Sequence, residues 1–485
     1  MNLSSLSFIY FVLPLTLCVY YIIPSKFTVA KNIWLTVASL VFYSMCEPTY
    51  FVLLLFSIVL NWGLGLLIQK SPSKKNPWVR IGVVLNILML LVFKLISTNV
   101  NLILTFAEVD RTLLALPVGL SFYTFHAISY LVDINRKKAP AAKNPLDTAL
   151  YLSFFVKVIS GPLVSYADFQ KQLGNRKTTF GSFSEGLWKF LIGLGKQVIV
   201  ATPLSAICEA AFDAKGDISV TLAWLGTLAY FLQVYLDFSG YSDMAIGLGR
   251  MLGFDIPENF KYPYLSKTVA EYWRRWHITL GAWFRSYVFF PVSVSPVCLK
   301  INKLSRKRFG ASAGRLVGIA LPLFVVWSLT GLWHDFSMRY LLWGIINGVF
   351  IIWETARKPF KNKKAETVFG HIYTVAIAFF TKVLVRSSSI KASFVYFGTM
   401  FGVGADVFMC DDAVLCLREY AVYLILGIVL CFPVAQTLKK LIETKAPSLI
   451  KVYNVASALG LAAVTLITLA MLVQNGANPF IYGKF

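Results

Sequence analysis

The chain has 485 residues, 57% of them hydrophobic and only 14% charged, with a mean hydropathy of +0.67. Soluble domains carry about 25% charged residues, so this balance, held along the whole length, excludes a soluble protein with one anchor and implies repeated bilayer crossings. The formal charge of +23 lies mostly in short loops between apolar runs, where orientation in the membrane accounts for it, and no nucleic-acid-binding pattern accompanies it.

Apolar runs predict spans over 8–23, 33–46, 50–68, 81–106, 113–132, 186–207, 220–236, 316–330, 340–353, 372–385, 420–438 and 452–473. Several fall short of the roughly 20 residues a straight span requires. That suits broken, tilted or re-entrant helices whose backbone faces protein or a water-filled cavity. The first run has no basic leader and no small-residue cleavage site, so it is expected to be a retained span. Two further apolar stretches, 144–172 and 266–291, are flanked by basic loops on the same side and are expected to be re-entrant or interfacial. Asn144-Pro145 supplies a cap and a first-turn proline for the former, and Thr268-x-x-Glu271 a capping box for the latter. No composition shift divides the chain. The expectation is one all-α integral membrane domain over 1–485, with about 11–12 transmembrane helices and extra re-entrant or interfacial ones. Its motif core covers 113–356 and its C-terminal helices 368–473.

Loop charge tests this layout. Lys26 and Lys31, Lys70 to Arg80, Arg136 to Lys143, Lys303 to Arg308, Lys358 to Lys364 and Lys439 to Lys445 all fall on one side if the spans alternate. The opposite loops carry Glu108 and Asp110, then Glu209, Asp213 and Asp217, then Asp406, Asp411 and Asp412. The positive-inside rule puts the basic side in the cytoplasm and both termini outside. Of the seven Cys, Cys410 and Cys416 share one polar loop and Cys208 lies near another; they are candidates for pairing on an oxidising face.

An ionisable group at membrane depth is costly and is a functional candidate by default. Only four His are present. His277 ends Glu271-Tyr-Trp273-Arg274-Arg275-Trp276-His277, and His334 ends Gly331-Leu-Trp333-His334, followed by Asp335. On one continuous helix Trp273, Arg274 and His277 would share a face, and Glu271 and Arg275 would pair. The segment reads equally as a pore lining or as an interfacial amphipathic helix. A neutral imidazole at 334 is suited to take the proton of an attacking hydroxyl. Asp237-Phe-Ser239-Gly240-Tyr-Ser242-Asp243 is a third polar cluster, read as a hydrogen-bonded helix kink or a lining of the site. His126 and His371 have no flanking polar constellation and read as structural. No zinc, haem, nucleotide or serine-hydrolase pattern is present.

These strings together resemble the membrane-bound O-acyltransferase family, nearest in pattern to its bacterial alginate O-acetylation branch. The carriers are Pro117-Val-Gly-Leu-Ser-Phe-Tyr-Thr-Phe125, Gly161-Pro162, Tyr166-Ala-Asp-Phe169, Gly193-Leu-Gly-Lys196, Tyr235 to Leu248, Pro257-Glu-Asn-Phe260, Tyr272 to His277, Gly331 to His334 and Asn478-Pro-Phe-Ile-Tyr482. The resemblance implies tilted helices around a central funnel with a buried His at its neck. It implies His334 as the catalytic His and His277 as a second active-site His, with Asp237, Ser239, Asp243, Trp273, Arg274, Arg275, Trp276, Trp333 and Asp335 in supporting positions. It implies no bound cofactor and no metal, an acyl donor, acetyl-CoA, reached from the cytoplasm, and an acceptor on the outer face. An extracytoplasmic acetyl-transfer protein and a glycan synthase are the implied partners, in a bacterial inner membrane. Asp335 stands where the family often has a small residue, and its carboxylate could hold His334. His126 stands where an amide is expected. The teichoic-acid D-alanyl branch shares the two His motifs, so D-alanyl or another acyl group is an alternative cargo. A non-enzymatic transporter is a further alternative.

Overall fold

The computed structural model describes residues 1–71, 76–100, 114–214, 216, 218–357 and 363–475. Several expectations lie outside these: Lys74, Lys75, the 101–106 end and the 113 start of two spans, Glu108, Asp110, Asp217, Lys358, Lys361 and the 478–482 motif. The described residues form helices and loops, with no strand among them.

In chain order the helices are α1 (Phe8–Ile22), α2 (Thr28–Cys46), α3 (Phe51–Lys70), α4 (Pro77–Thr98), α5 (Leu120–Asn135), α6 (Pro145–Ser153), α7 (Tyr166–Gln170), α8 (Phe180–Phe212), α9 (Val220–Met251), α10 (Val269–Arg275), α11 (Ile278–Phe284), α12 (Phe290–Ser293), α13 (Pro296–His334), α14 (Met338–Ala356), α15 (Lys363–Arg386), α16 (Ile390–Met400), α17 (Asp411–Leu430), α18 (Val434–Lys445) and α19 (Ile450–Asn475). Among the described residues, eight are long and apolar enough to cross a membrane: α2, α3, α4, α8, α13, α15, α17 and the helix that contains α19. The remaining expected spans correspond to α1, α5, α9 and α14, which are shorter or carry more polar residues.

The helices gather into two compact units. One comprises Met1–Phe190, Tyr241–Glu258 and Leu472 onward, the other Leu191–Gly240 and Asn259–Met471. The first unit is built around α5, in which every residue but Val132 and Asn135 is buried. A helix apolar all round and buried all round is a core element, not a surface one. Its neighbours α3 and α4 are joined by the buried Asn61–Asn86 amide pair, 2.8 Å from Asn86 Nδ2 to Asn61 Oδ1. The 144–172 stretch folds as expected at its start: Asn144 Oδ1 accepts from the Asp147 N–H at 3.0 Å and Pro145 opens α6. Beyond α6 the chain is irregular until Ser165 caps α7.

Several boundaries differ from the sequence reading. The 316–330 span is the end of a longer helix, α13, interrupted at Gly310 (φ 90°). The 420–438 span ends at Leu430, and the remainder belongs to the separate amphipathic helix α18, none of whose residues is buried. The hydrophobic run continues through Phe432 and Val434, which hid the break. α9 runs unbroken through Asp237–Asp243, so no kink occurs there. The irregularity is in α8, whose Lys196–Ala201 turn is π-helical. All seven thiols are free. Cys410 precedes α17 and Cys416 sits within it, six positions on, a spacing that turns side chains to different faces of a helix.

Candidate active site

The second unit holds the polar groups that the sequence singled out around His277. Thr268 Oγ1 accepts from the Glu271 N–H at 3.0 Å, as a capping box requires, while Glu271 Oε2 accepts from the Lys267 N–H at 2.9 Å, one residue before the N-cap, so the return bond of the box is shifted by one position. Arg275 pairs with Glu271 at 2.6 Å, as the four-residue spacing predicts. α10 then stops one turn early. Trp276 is extended and His277 takes left-handed angles (φ 46°, ψ 51°), a conformation that costs a non-glycine residue about 1–2 kcal/mol. The cause is non-local. Residues 259–261 run beside the break, with the Lys261 N–H donating to Arg275 O and the Ile278 N–H donating to Asn259 O, both at 2.9 Å. Trp273, Arg274 and His277 therefore do not share one helix face, which corrects the continuous-helix expectation.

Asn259, fully buried, was not singled out individually, although its Pro257-Glu-Asn-Phe260 string was noticed. Its Oδ1 accepts from the Thr279 N–H (3.2 Å) and the Thr279 hydroxyl (2.9 Å) and lies 3.2 Å from His277 Nδ1. The Thr279 N–H is an unambiguous donor, so the amide oxygen faces this side. An oxygen only accepts, which places the imidazole proton on Nδ1. The lone pair of neutral His277 is then on Nε2, which is buried with no hydrogen-bond partner among the described residues. A lone pair of this kind is an unspent acceptor.

His334 is the last residue of α13. It is placed by the α13–α14 hairpin, whose backbones touch through two glycines. A Cβ added at Gly331 would stand 2.3 Å from Tyr340 O, and one at Gly344 would stand 2.3 Å from Trp327 O. The His334 ring lies against Trp333 (4.5 Å) and edge-on to Trp343 (5.2 Å). Trp333 also meets His277 at 6.3 Å between ring centroids.

The two imidazoles line one cavity of about 570 Å³, within the range of small-molecule sites. Its wall is mostly apolar and aromatic, including Trp273, Trp276, Phe284, Leu323 and Trp327, with Arg274, Arg285 and Thr330 as further polar groups. Arg274 and Arg285 are exposed while His277 is 3% exposed, so the cavity wall joins two exposed cations to a buried imidazole. Arg285 and Thr330 carried no signal in the sequence beyond being polar in apolar runs.

The other expected site residues are elsewhere in their units. Asp237 Oδ1 accepts from Gln197 Nε2 at 2.7 Å, so the π-helical turn of α8 serves to present Gln197. The Ser239 hydroxyl is buried with no partner among the described residues. Asp243 belongs to the first unit, 3.5 Å from Lys189, which also binds Glu258. Trp333 backs both imidazoles without appearing in the cavity wall. The carboxylate of Asp335 pairs with Arg339 at 3.8 Å. His126 is buried in the first unit, edge-on to Tyr151. No group of three His, Cys, Asp or Glu side chains arranged for a metal ion occurs among the described residues.

A helical body with membrane-length helices and two imidazoles on one small-molecule-sized cavity is the architecture of a membrane-embedded transferase. The chain belongs to the membrane-bound O-acyltransferase family, and it is a multi-pass membrane O-acyltransferase. That family's model matches residues 135–304, a stretch that includes His277. The chain is 33% identical over 413 residues to the "Probable alginate O-acetylase AlgI" of Pseudomonas syringae pv. tomato, covering 83% of this chain and 76% of the relative. It is 31% identical over 376 residues to the peptidoglycan O-acetyltransferase of Helicobacter pylori, 70% of this chain and 68% of that one. A teichoic acid D-alanyltransferase of Bacillus subtilis is more distant, 26% identical over 268 residues, 54% of this chain and 64% of that one.

Proposed function

We propose that the chain takes acetyl groups from acetyl-CoA at the cytoplasmic face and passes them through the membrane for O-acetylation of an exported or cell-wall polysaccharide. The observation that supports this reading is that two imidazoles, from separate elements, line one cavity whose wall also carries Arg274 and Arg285. His334 acts as general base. As it takes the proton of the acceptor hydroxyl, the oxygen attacks the thioester carbonyl, the C–S bond breaks, and the thiolate leaves to be protonated. His277, with Nε2 available, is placed to accept a hydrogen bond from the acceptor hydroxyl or the leaving thiol. Arg274 and Arg285 suit the phosphates of a CoA donor, since guanidinium groups bind phosphate in paired fashion. The names of the AlgI and peptidoglycan relatives support acetyl over D-alanyl. The protein sits in the bacterial cytoplasmic membrane with both termini outside, and an extracytoplasmic acetyl-transfer protein working with a glycan synthase completes the transfer.

The test is mass analysis of surface glycans from cells carrying the native chain or His334→Ala. Loss of a general base lowers rate by about 10²–10⁴-fold, so the ester content falls to background while the protein remains in the membrane. Unchanged O-acetyl content removes the proposal. Alanyl esters lost in place of acetyl would reassign the cargo.

A further inference from the structure

His277 follows, by two residues, a short helix that cannot hold its own position. α10 has only seven residues, fewer than the ~12–15 at which an isolated helix becomes even marginal, and the chain beyond it passes through an extended Trp276 into the left-handed His277. What fixes it is α14. Glu354, near the end of α14, receives the first N–H groups of α10: Oε1 accepts from Val269 at 2.5 Å and Oε2 from Ala270 at 2.9 Å. Tyr373 of α15 donates its hydroxyl to the same Oε1 at 3.0 Å. Seven residues earlier on α14, two helical turns and so on the same face, stands Asn347, 2% exposed. Its Oδ1 accepts from Trp273 Nε1 at 3.0 Å, and its own Nδ2 is held by Trp343 O at 2.8 Å.

α14 therefore grips α10 at its start and at its middle, and it meets α13 at the Gly331–Gly344 crossing just before His334. One rigid helix references both imidazoles. We infer that Glu354 and Asn347 are positioning residues for the acyl-transfer site, acting through α10 to set His277 against His334. The inference rests on the reading of this cavity as the acyl-transfer site. Sub-ångström alignment is what such a device controls, and a displacement of about 1 Å can cost about 10²-fold in rate. A carboxylate is the suitable group at the start of α10, because its two oxygens serve two N–H donors at once and its charge complements the helix N-terminus.

The experiment uses the full chain in native membranes. Transfer of labelled acetyl from acetyl-CoA is measured for Glu354→Ala, Asn347→Leu, Asn347→Asp and Tyr373→Phe, with His334→Ala as control, normalised to folded protein by detergent-resistant size-exclusion fluorescence. Glu354→Ala and Asn347→Leu should lower kcat about 10–10²-fold with KM for acetyl-CoA within twofold. Asn347→Asp, held in this buried position as the neutral acid, keeps one oxygen as acceptor for the Trp273 indole and offers its O–H to Trp343 O in place of Nδ2, and should recover most of the rate. Tyr373→Phe, the mildest change, should lose severalfold. If Glu354→Ala and Asn347→Leu retain kcat within twofold while His334→Ala is inactive, the positioning role is overturned and the acyl-transfer reading stands. If activity falls only with the folded fraction, or Asn347→Asp gives no recovery, the role is structural support alone and the inference fails. Activity surviving in His334→Ala would sink the site reading itself.

Discussion

At the scale of single residues, the state of His277 follows from one amide. Asn259 Oδ1 receives the Thr279 N–H, the Thr279 hydroxyl and His277 Nδ1–H, and the last of these selects the tautomer with its lone pair on Nε2. Asn259→Leu leaves three buried donors without an acceptor, at about 1–3 kcal/mol for each that finds no substitute, and frees the imidazole to rotate or to move its proton to Nε2. The expected outcome is a lowered melting temperature together with a loss of kcat of about 10²-fold. Asn259→Asp keeps an acceptor toward all three donors but buries a carboxylate, so its folding stability should fall between those of the native chain and Asn259→Leu. It should also shift the pH–rate profile upward, since a carboxylate beside the ring favours imidazolium. A pH profile identical to that of the native chain in Asn259→Asp would show that His277 does not titrate in the rate-limiting step.

At the scale of elements, the α13–α14 hairpin is the part most exposed to a single added methyl group. Gly344 faces Trp327 O and the Gly331 Cα at 2.3 and 3.3 Å from an added Cβ, with backbone on both sides and nothing flexible to yield. Gly344→Val should drive the helices apart, displace His334 and reduce acyl transfer below detection. Gly63→Val in α3, where an added Cβ meets nothing within 4 Å, should fold and transfer normally. Equal activity of the two variants would contradict the tight crossing. The helices themselves were largely legible in the sequence, because long apolar runs between charged loops carry their own signal. The caps at Asn144 and Thr268 and the Glu271–Arg275 pair were legible for the same local reason. The break at Trp276-His277 was not, because it is imposed by hydrogen bonds from residues 259–261, far away in sequence. Asn347 and Glu354 were invisible as site residues: their partners are on α10, more than 70 positions away. α16, 11 residues long, has no counterpart among the expected spans, and α18 was absorbed into its neighbour because its apolar face continues the run.

At the scale of the whole molecule, charge and helix order make a statement about orientation that no single side chain makes. α18 carries Lys439, Lys440 and Lys445 on a helix with no buried residue, between α17 and α19. Lys137 and Lys138 are exposed just after α5, and Asp411 and Asp412 are exposed at the start of α17. If the spans alternate, the first two groups fall on one side and the aspartates on the other, and the positive-inside rule predicts that the first side is the cytoplasm. Single cysteines introduced in a cysteine-free background at Lys138, Lys440 and Asp412 read this directly. In intact cells with a permeable outer envelope, a membrane-impermeant maleimide should label the Asp412→Cys chain. It should reach Lys138→Cys and Lys440→Cys only after the cytoplasmic membrane is broken. That predicted orientation would set the Lys439–Lys445 half of α18 at the anionic cytoplasmic leaflet, where each Lys near the surface contributes about 1 kcal/mol of attraction. Labelling of Lys440→Cys from outside would reverse the assignment, and with it the face from which an acetyl donor in the cytoplasm must enter.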